Sequence, residues 1–181
     1  MKLYNANLSN FAAKCRIAIY EKNAAIEIVG LPGGGLKTDE YLKIFLLGMV
    51  PALDTGERVI GESQAINEFI EETFQSPALL PQAASDKAYV RYLFGLHDSQ
   101  LERPFRALYG HLDPAKRDPE HVAEDLPKVI AKLDALELLM ASGPYMAGEQ
   151  FTLADCAWAP TVVFLEKFLP LLEAPAFTDE R

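Results

Sequence analysis

The sequence predicts a small α/β domain followed by an all-helical domain. Three observations carry that expectation. Over about the first 75 residues, short apolar or alternating runs are interleaved with amphipathic helix patterns. A stretch with two prolines and no regular period follows, "QSPALLPQAAS". Beyond it, apolar residues recur only at helical spacing. These observations place the α/β domain at 1–75, a linker at 76–85 and the helical domain at 86–181.

The elements follow in order. "KLY" is a short apolar start and "NANLSN" a turn. "NFAAKCRIAIYE" sets Phe11, Cys15, Ala18 and Ile19 at helical spacing, with Ser9 as N-cap. "AAIEIVGL", Ala24 to Leu31, alternates and is β-branched, which predicts a strand. "PGGGLKT" reads as a loop and "DEYLKIFLL" as a short helix. "PALDT" and "RVIG" are two short strands around a turn. Ser63 then caps a helix whose apolar face is Ile66, Phe69, Ile70 and Phe74. Past the linker, helices are expected over Asp86 to Tyr109, His121 to Ala141 and Thr152 to Leu169. No internal repeat or low-complexity tract is visible in the sequence.

Composition narrows the function. The chain has 181 residues, half of them hydrophobic, enough for a substantial core. Its net charge of −9 comes without a basic cluster, which argues against nucleic-acid binding. Cys15 and Cys156 lie far apart in apolar helical patterns, so a reducing compartment, the cytoplasm, is expected rather than a disulfide framework. The N-terminus lacks the long apolar core of a signal peptide, and no apolar run is long enough to span a membrane. His97, His111 and His121 lack metal-ligand spacing, so no metal is expected. "GLPGGGLKT" is not a phosphate loop, because Leu36 separates Gly35 from Lys37.

Three motifs together resemble the glutathione transferase family, over nearly the whole chain. "LSNFAAKCRIAIYEK" resembles the active-site stretch of its serine-type members, with Ser9 on the catalytic serine and Asn10 where proline is usual. "VPAL" followed by "ESQAI" resembles the glutathione-binding signature of the fold. "GEQFTLADCAWAP" resembles a motif of the helical domain, and Thr152 with Asp155 fits a capping box. Read without the resemblance, Ser9 is a helix cap, and Pro51 with Ser63 is a strand start and a helix cap.

The resemblance implies a thioredoxin-like first domain that holds glutathione as cosubstrate, then the all-helical domain. Ser9 is implied to donate a hydrogen bond to the glutathione sulfur. A model thiol has a pKa near 8.5, and a hydroxyl donor at a helix N-terminus favours the thiolate, which is the nucleophile. Pro51 is implied to follow a cis peptide, leaving the backbone of Val50 to pair with the cysteinyl part. Ser63 is implied to receive the γ-glutamyl carboxylate and Glu62 its ammonium. Asn10 is a candidate second polar contact. Lys37 is a candidate for the glycyl carboxylate, because Met49 stands where many members have a polar residue before the signature valine.

The activity implied is conjugation of the thiolate to a small hydrophobic electrophile lodged against the helical half. Glutathione-dependent isomerases and dehalogenases share the scaffold, and a non-catalytic binding or regulatory module is the alternative of a different class. A homodimer is implied. Tyr4 is expected in the strand core rather than at a tyrosine-type active site. Phe11, Phe105, Tyr109 and Trp158 are candidates to line the electrophile pocket or to serve as core. The closing "LPLLEAPAFTDER" stands where relatives continue with further helices, which implies a more open pocket.

Overall fold

The computed structural model describes residues 1–172. The chain divides into two compact units, Met1–Lys87 and Ala88–Arg181.

In the first unit, β1 (Lys2–Tyr4) leads to α1 (Asn10–Glu21), β2 (Glu27–Val29), α2 (Asp39–Leu42), β3 (Ala52–Asp54), β4 (Val59–Ile60) and α3 (Ser63–Thr73). The sheet order is β2-β1-β3-β4. β1 runs parallel to β2, with Leu3 opposite Ile28, and antiparallel to β3, with Tyr4 opposite Ala52. β4 closes an antiparallel hairpin with β3. Leu3 and Leu53 are fully buried, as are Ala12, Cys15 and Ala18 of α1 and Ile66 and Ile70 of α3. α1 and α3 pack against each other.

The strand expected over Ala24 to Leu31 shrinks to Glu27–Val29. The preceding residues spend their amides on the turn that ends α1: Ala24 donates to the Ile19 carbonyl and Ile26 to that of Ala24. Tyr4 is core, tilted against Tyr41 at 5.6 Å. The glycine run is a closed turn. The Thr38 hydroxyl donates to the Pro32 carbonyl at 2.8 Å and accepts from the Tyr41 amide, capping α2. Gly33 sits at φ +68°, where a Cβ would strike the Thr38 side chain.

The two-proline stretch is strapped to this unit. Lys22 donates to the carbonyls of Phe74 and Pro77 and pairs with Glu71 at 2.5 Å. The Glu71 carboxylate in turn accepts from the amides of Leu79 and Leu80. Every charge in this buried cluster is thereby matched. The stretch ends in α4 (Ala84–Leu96), which starts before residue 86.

The second unit continues with α5 (Glu102–Ala107), α6 (Pro119–Leu139) and α7 (Leu153–Phe168). The helix expected without a break from Asp86 to Tyr109 is interrupted by a π-helical turn at His97–Leu101. Pro104 explains the break. Its ring cannot coexist with a regular helical carbonyl four residues earlier, at Gln100, and it has no amide to donate there. Buried His97 fastens the turn: Nε2 meets the Thr161 hydroxyl at 2.5 Å, and the ring lies edge-on to Trp158.

Asp118 caps α6, accepting from the amides of Glu120 and His121. These bonds hold its carboxyl below the usual carboxylate range. The capping box of α7 forms as expected. Asp155 accepts from the Thr152 amide at 2.7 Å and also from the Met146 amide at 2.8 Å. Phe105 and Trp158 are buried core, with the Trp158 indole donating to the Leu93 carbonyl. Tyr109 lies edge-on to Phe105. Residues 173–181 of the closing stretch lie outside the described residues.

Candidate functional site

The first unit holds a cavity of about 160 Å³ lined by Phe11, Phe45, Met49, Val50, Pro51, Glu62 and Ser63. Small-molecule sites usually span roughly 300–1,000 Å³. A tripeptide seated here therefore lies partly over the rim.

The cavity sits where two local features meet. The Val50–Pro51 peptide is cis. Among the described residues, no hydrogen bond engages the Val50 amide or carbonyl. That backbone edge is open to an extended ligand, in the manner of an added strand. The second feature is the joint of β4 and α3. α3 begins at Ser63, and Glu62 holds the cap position with φ +62° and ψ 113° and no side-chain cap bond. The expected Ser63 cap is therefore corrected by one residue. Ser63 already has its place inside the helix, and the Glu62 carbonyl accepts the first helical bond, from Ile66.

This shift matters for the chemistry. Ser63 is 2 % exposed, and its hydroxyl has no partner among the described residues. A buried unpaired hydroxyl costs about 1–3 kcal/mol, so it marks a place where a ligand or water completes the bond. It stands at the amino end of an eleven-residue helix, where free amides and the helix dipole favour an anion. One turn further along α3, the Asn67 amide group is likewise buried without a partner. Glu62 is exposed and makes no ion pair among the described residues, so its carboxylate is available to an ammonium group. A cationic and an anionic subsite thus adjoin through consecutive residues.

Residues that sequence reasoning missed hold this arrangement. Tyr41 is fully buried and donates to the Met49 carbonyl at 2.7 Å. Burial, and to a lesser degree neighbouring Tyr4, pushes its phenol up to about 12. The Phe45 ring lies directly on Gly61, where a Cβ would come within 2.6 Å of the ring. The only advance signals were an apolar α2 and a glycine just before the Glu-Ser pair.

Ser9 is the N-cap of α1, accepting from the Ala12 amide at 3.2 Å. It is not among the cavity-lining residues, although Phe11, two positions on, is. Arg16 braces the turn before it, donating to the Asn5 side chain at 2.8 Å and to the Asn7 carbonyl. Asn10 is buried and does not line the cavity. Lys37 does not line it either; its ammonium donates to the Leu47 carbonyl at 2.9 Å. Val50, Glu62 and Ser63 are therefore brought together, while Ser9, Asn10 and Lys37 stand outside the lining. Among the described residues, no group of three or more His, Cys, Asp or Glu is placed to hold a metal ion. No described helix is long and apolar enough to cross a membrane.

Residues 3–78 match the family model of the glutathione S-transferase N-terminal domain, and residues 119–178 that of the C-terminal domain. A glutathione S-transferase of Pseudomonas putida is 33% identical over 161 residues, which cover 86% of this chain and 70% of that protein. This chain belongs to the glutathione S-transferase family. A maleylpyruvate isomerase of Ralstonia is 32% identical, over 93% of this chain and 84% of that protein. Among solved structures, a holo maleylpyruvate isomerase, described as a bacterial glutathione S-transferase of the Zeta class, superposes with a TM-score of 0.77. It is 32% identical, covering 96% of this chain and 89% of that one. A theta-class enzyme of Xanthomonas axonopodis pv. citri with glutathione bound superposes at 0.78. It is 26% identical, over 93% and 82% of the two chains. The family accounts for the fold of both units.

Proposed function

We propose that this chain binds glutathione in the cavity of its first unit and conjugates its thiolate to a small hydrophobic electrophile, the sulfur forming a bond to the electrophilic carbon and remaining on the peptide. The observation that carries the reading is the buried, unpartnered Ser63 hydroxyl beside the free Glu62 carboxylate and the open Val50 backbone. A γ-glutamyl end carries one carboxylate and one ammonium, and this dipeptide offers a partner for each. Ser9 is the activator in this reading. Its oxygen accepts from the Ala12 amide and keeps its own proton to donate to sulfur, so the cap and the catalytic role coexist. A donor near a helix N-terminus stabilises the thiolate, the form that attacks carbon.

A second reading is favoured by the maleylpyruvate and maleylacetoacetate isomerases among the relatives. There the same activated thiolate adds to the substrate and is later released. Both readings use the same glutathione seat. By family likeness we propose a homodimer, and the two buried cysteines, which form no disulfide, support a reducing, cytoplasmic setting.

Calorimetric titration with glutathione, with ultraviolet difference spectra for bound thiolate, tests the seat. Millimolar glutathione that produces neither heat nor thiolate absorbance would sink the reading. Parallel assays with an aromatic halide and with maleylpyruvate separate transferase from isomerase.

A further inference from the structure

Helix α3 buries four side chains, and they form two stripes. Ile66 and Ile70 make an apolar one. Ser63 and Asn67, at the same spacing along the helix, make a polar one. Asn67 is fully buried, and neither its amide nitrogen nor its amide oxygen has a hydrogen-bond partner. Among the described residues no other side chain leaves two polar atoms in that state. The Ser63 hydroxyl, one turn ahead, is unpartnered too, so the two groups do not bond each other. The Ser63 carbonyl receives the Cys15 thiol of α1 at 3.6 Å, which holds the first turn of α3 in place. A helical Cα–Cβ bond tilts toward the helix N-terminus, so Asn67 is carried toward Ser63 and the cavity that Ser63 lines.

A buried amide with both groups unpaired carries a full desolvation penalty, which a hydrophobic residue of similar size avoids. The polar stripe therefore needs a partner beyond the side chains around it. A serine hydroxyl has one proton and two lone pairs. A ligand carboxylate at Ser63 takes the proton and leaves lone pairs facing inward, on the side where Asn67 holds two donors. Helical side chains four apart stand about 5–6 Å from each other at Cβ, a gap that one water spans. Resting on the glutathione seat proposed above, we propose that Asn67 is a positioning residue for the γ-glutamyl carboxylate, acting through one buried water and the Ser63 hydroxyl. The Asn67 amide donates to the water, the water donates to Ser63 Oγ, and Ser63 donates to the carboxylate. Every donor in the chain points toward the anion, and each bond polarises the next. The stripe thus makes the seat selective for negative charge at this one point.

The test measures two ligands by calorimetry on the intact protein at pH 8. One is glutathione. The other is 4-aminobutyryl-cysteinyl-glycine, which keeps the ammonium and the thiol but lacks the γ-glutamyl carboxylate. The parent is expected to hold glutathione about thirtyfold or more tighter than the analogue, the range of charge-assisted hydrogen bonds. Asn67→Leu is expected to weaken glutathione about tenfold and the analogue less than about twofold. Asn67→Asp sets a second anion behind Ser63 and is expected to weaken glutathione more than Asn67→Leu does, again sparing the analogue. Thermal melts show which variants are folded, and if Asn67→Leu is not, Asn67→Asp decides alone. Equal weakening of both ligands means that Asn67 acts only on the fold; it overturns this proposal and leaves the seat standing. Glutathione affinity within about twofold of the parent in the folded variants does the same. A parent that binds both ligands equally overturns the anion subsite at Ser63 and this proposal together, and a parent that binds neither overturns the whole seat.

Discussion

The Tyr41 hydroxyl is bonded to the Met49 carbonyl, the last peptide before the open edge at Val50. α2 lines no polar part of the cavity itself, yet this one bond fixes where its following loop presents the backbone. Tyr41→Phe is expected to cost about 1 kcal/mol of stability and to weaken glutathione several-fold, because only the bond is lost and the ring remains. The folded phenol titrates at about 12, above its ordinary 10.0. The folded state therefore holds the proton more tightly. That contribution is fully present below pH 10 and is lost as pH rises through about 12. Urea denaturation between pH 8 and 12 should show a steeper alkaline loss in the parent than in Tyr41→Phe. Parallel curves would assign the loss to other groups.

Glu62 stands at φ +62°, a backbone region that costs a residue with a Cβ roughly 1–2 kcal/mol. The strain sits where the proposed reading requires a carboxylate. Glu62→Gly should leave stability unchanged or raise it by up to about 1 kcal/mol, while glutathione affinity falls at least tenfold. A variant that binds normally would show that the carboxylate does not hold the ligand.

Gly61 leaves room for the Phe45 ring. Gly61→Ala should cost about 1–3 kcal/mol and distort the cavity, since the added methyl overlaps an aromatic edge. Phe45→Leu in the same chain should restore much of that stability. Thermal melts of both variants read the result, and no rescue would mean that the clash is absorbed elsewhere.

Ser9 combines a cap with a proposed catalytic role, and two substitutions separate them. Ser9→Ala should lose about 1 kcal/mol of stability along with turnover. Ser9→Asp keeps an oxygen to cap α1 but, ionised, has no proton to donate. It should retain stability while turnover falls and the bound thiol pKa rises. Equal turnover in Ser9→Asp and the parent would remove Ser9 as activator.

In the second unit, the buried Asp155 carboxylate collects the amides of Met146 and Thr152 and the Thr152 hydroxyl. Asp155→Ala strands all three donors. A loss of about 3–5 kcal/mol is expected, near 10 °C in Tm for a chain of this size. Differential scanning calorimetry checks it; a shift of only a degree or two would mean water replaces the carboxylate.

The sequence by itself determined the architecture and the seat's ingredients. Alternation and helical spacing marked β1, β3, β4, α1 and α3, and the Thr152–Asp155 box marked the start of α7. These signals are local, so they survive without knowledge of what packs where. Pro104 was equally local, but the reading of an unbroken helix from Asp86 to Tyr109 passed over it, and the structure shows the break. The tertiary structure decided what local pattern cannot express. It put Glu62 rather than Ser63 at the cap, which left the Ser63 hydroxyl buried and unpaired. It laid Phe45 on Gly61 and tied Tyr41 to Met49, contacts between residues far enough apart that only folding brings them together. It turned Lys37 onto the Leu47 carbonyl, outside the cavity lining. Residue type can be read from a chain, but which partner satisfies each polar group is settled only when the backbone closes around it.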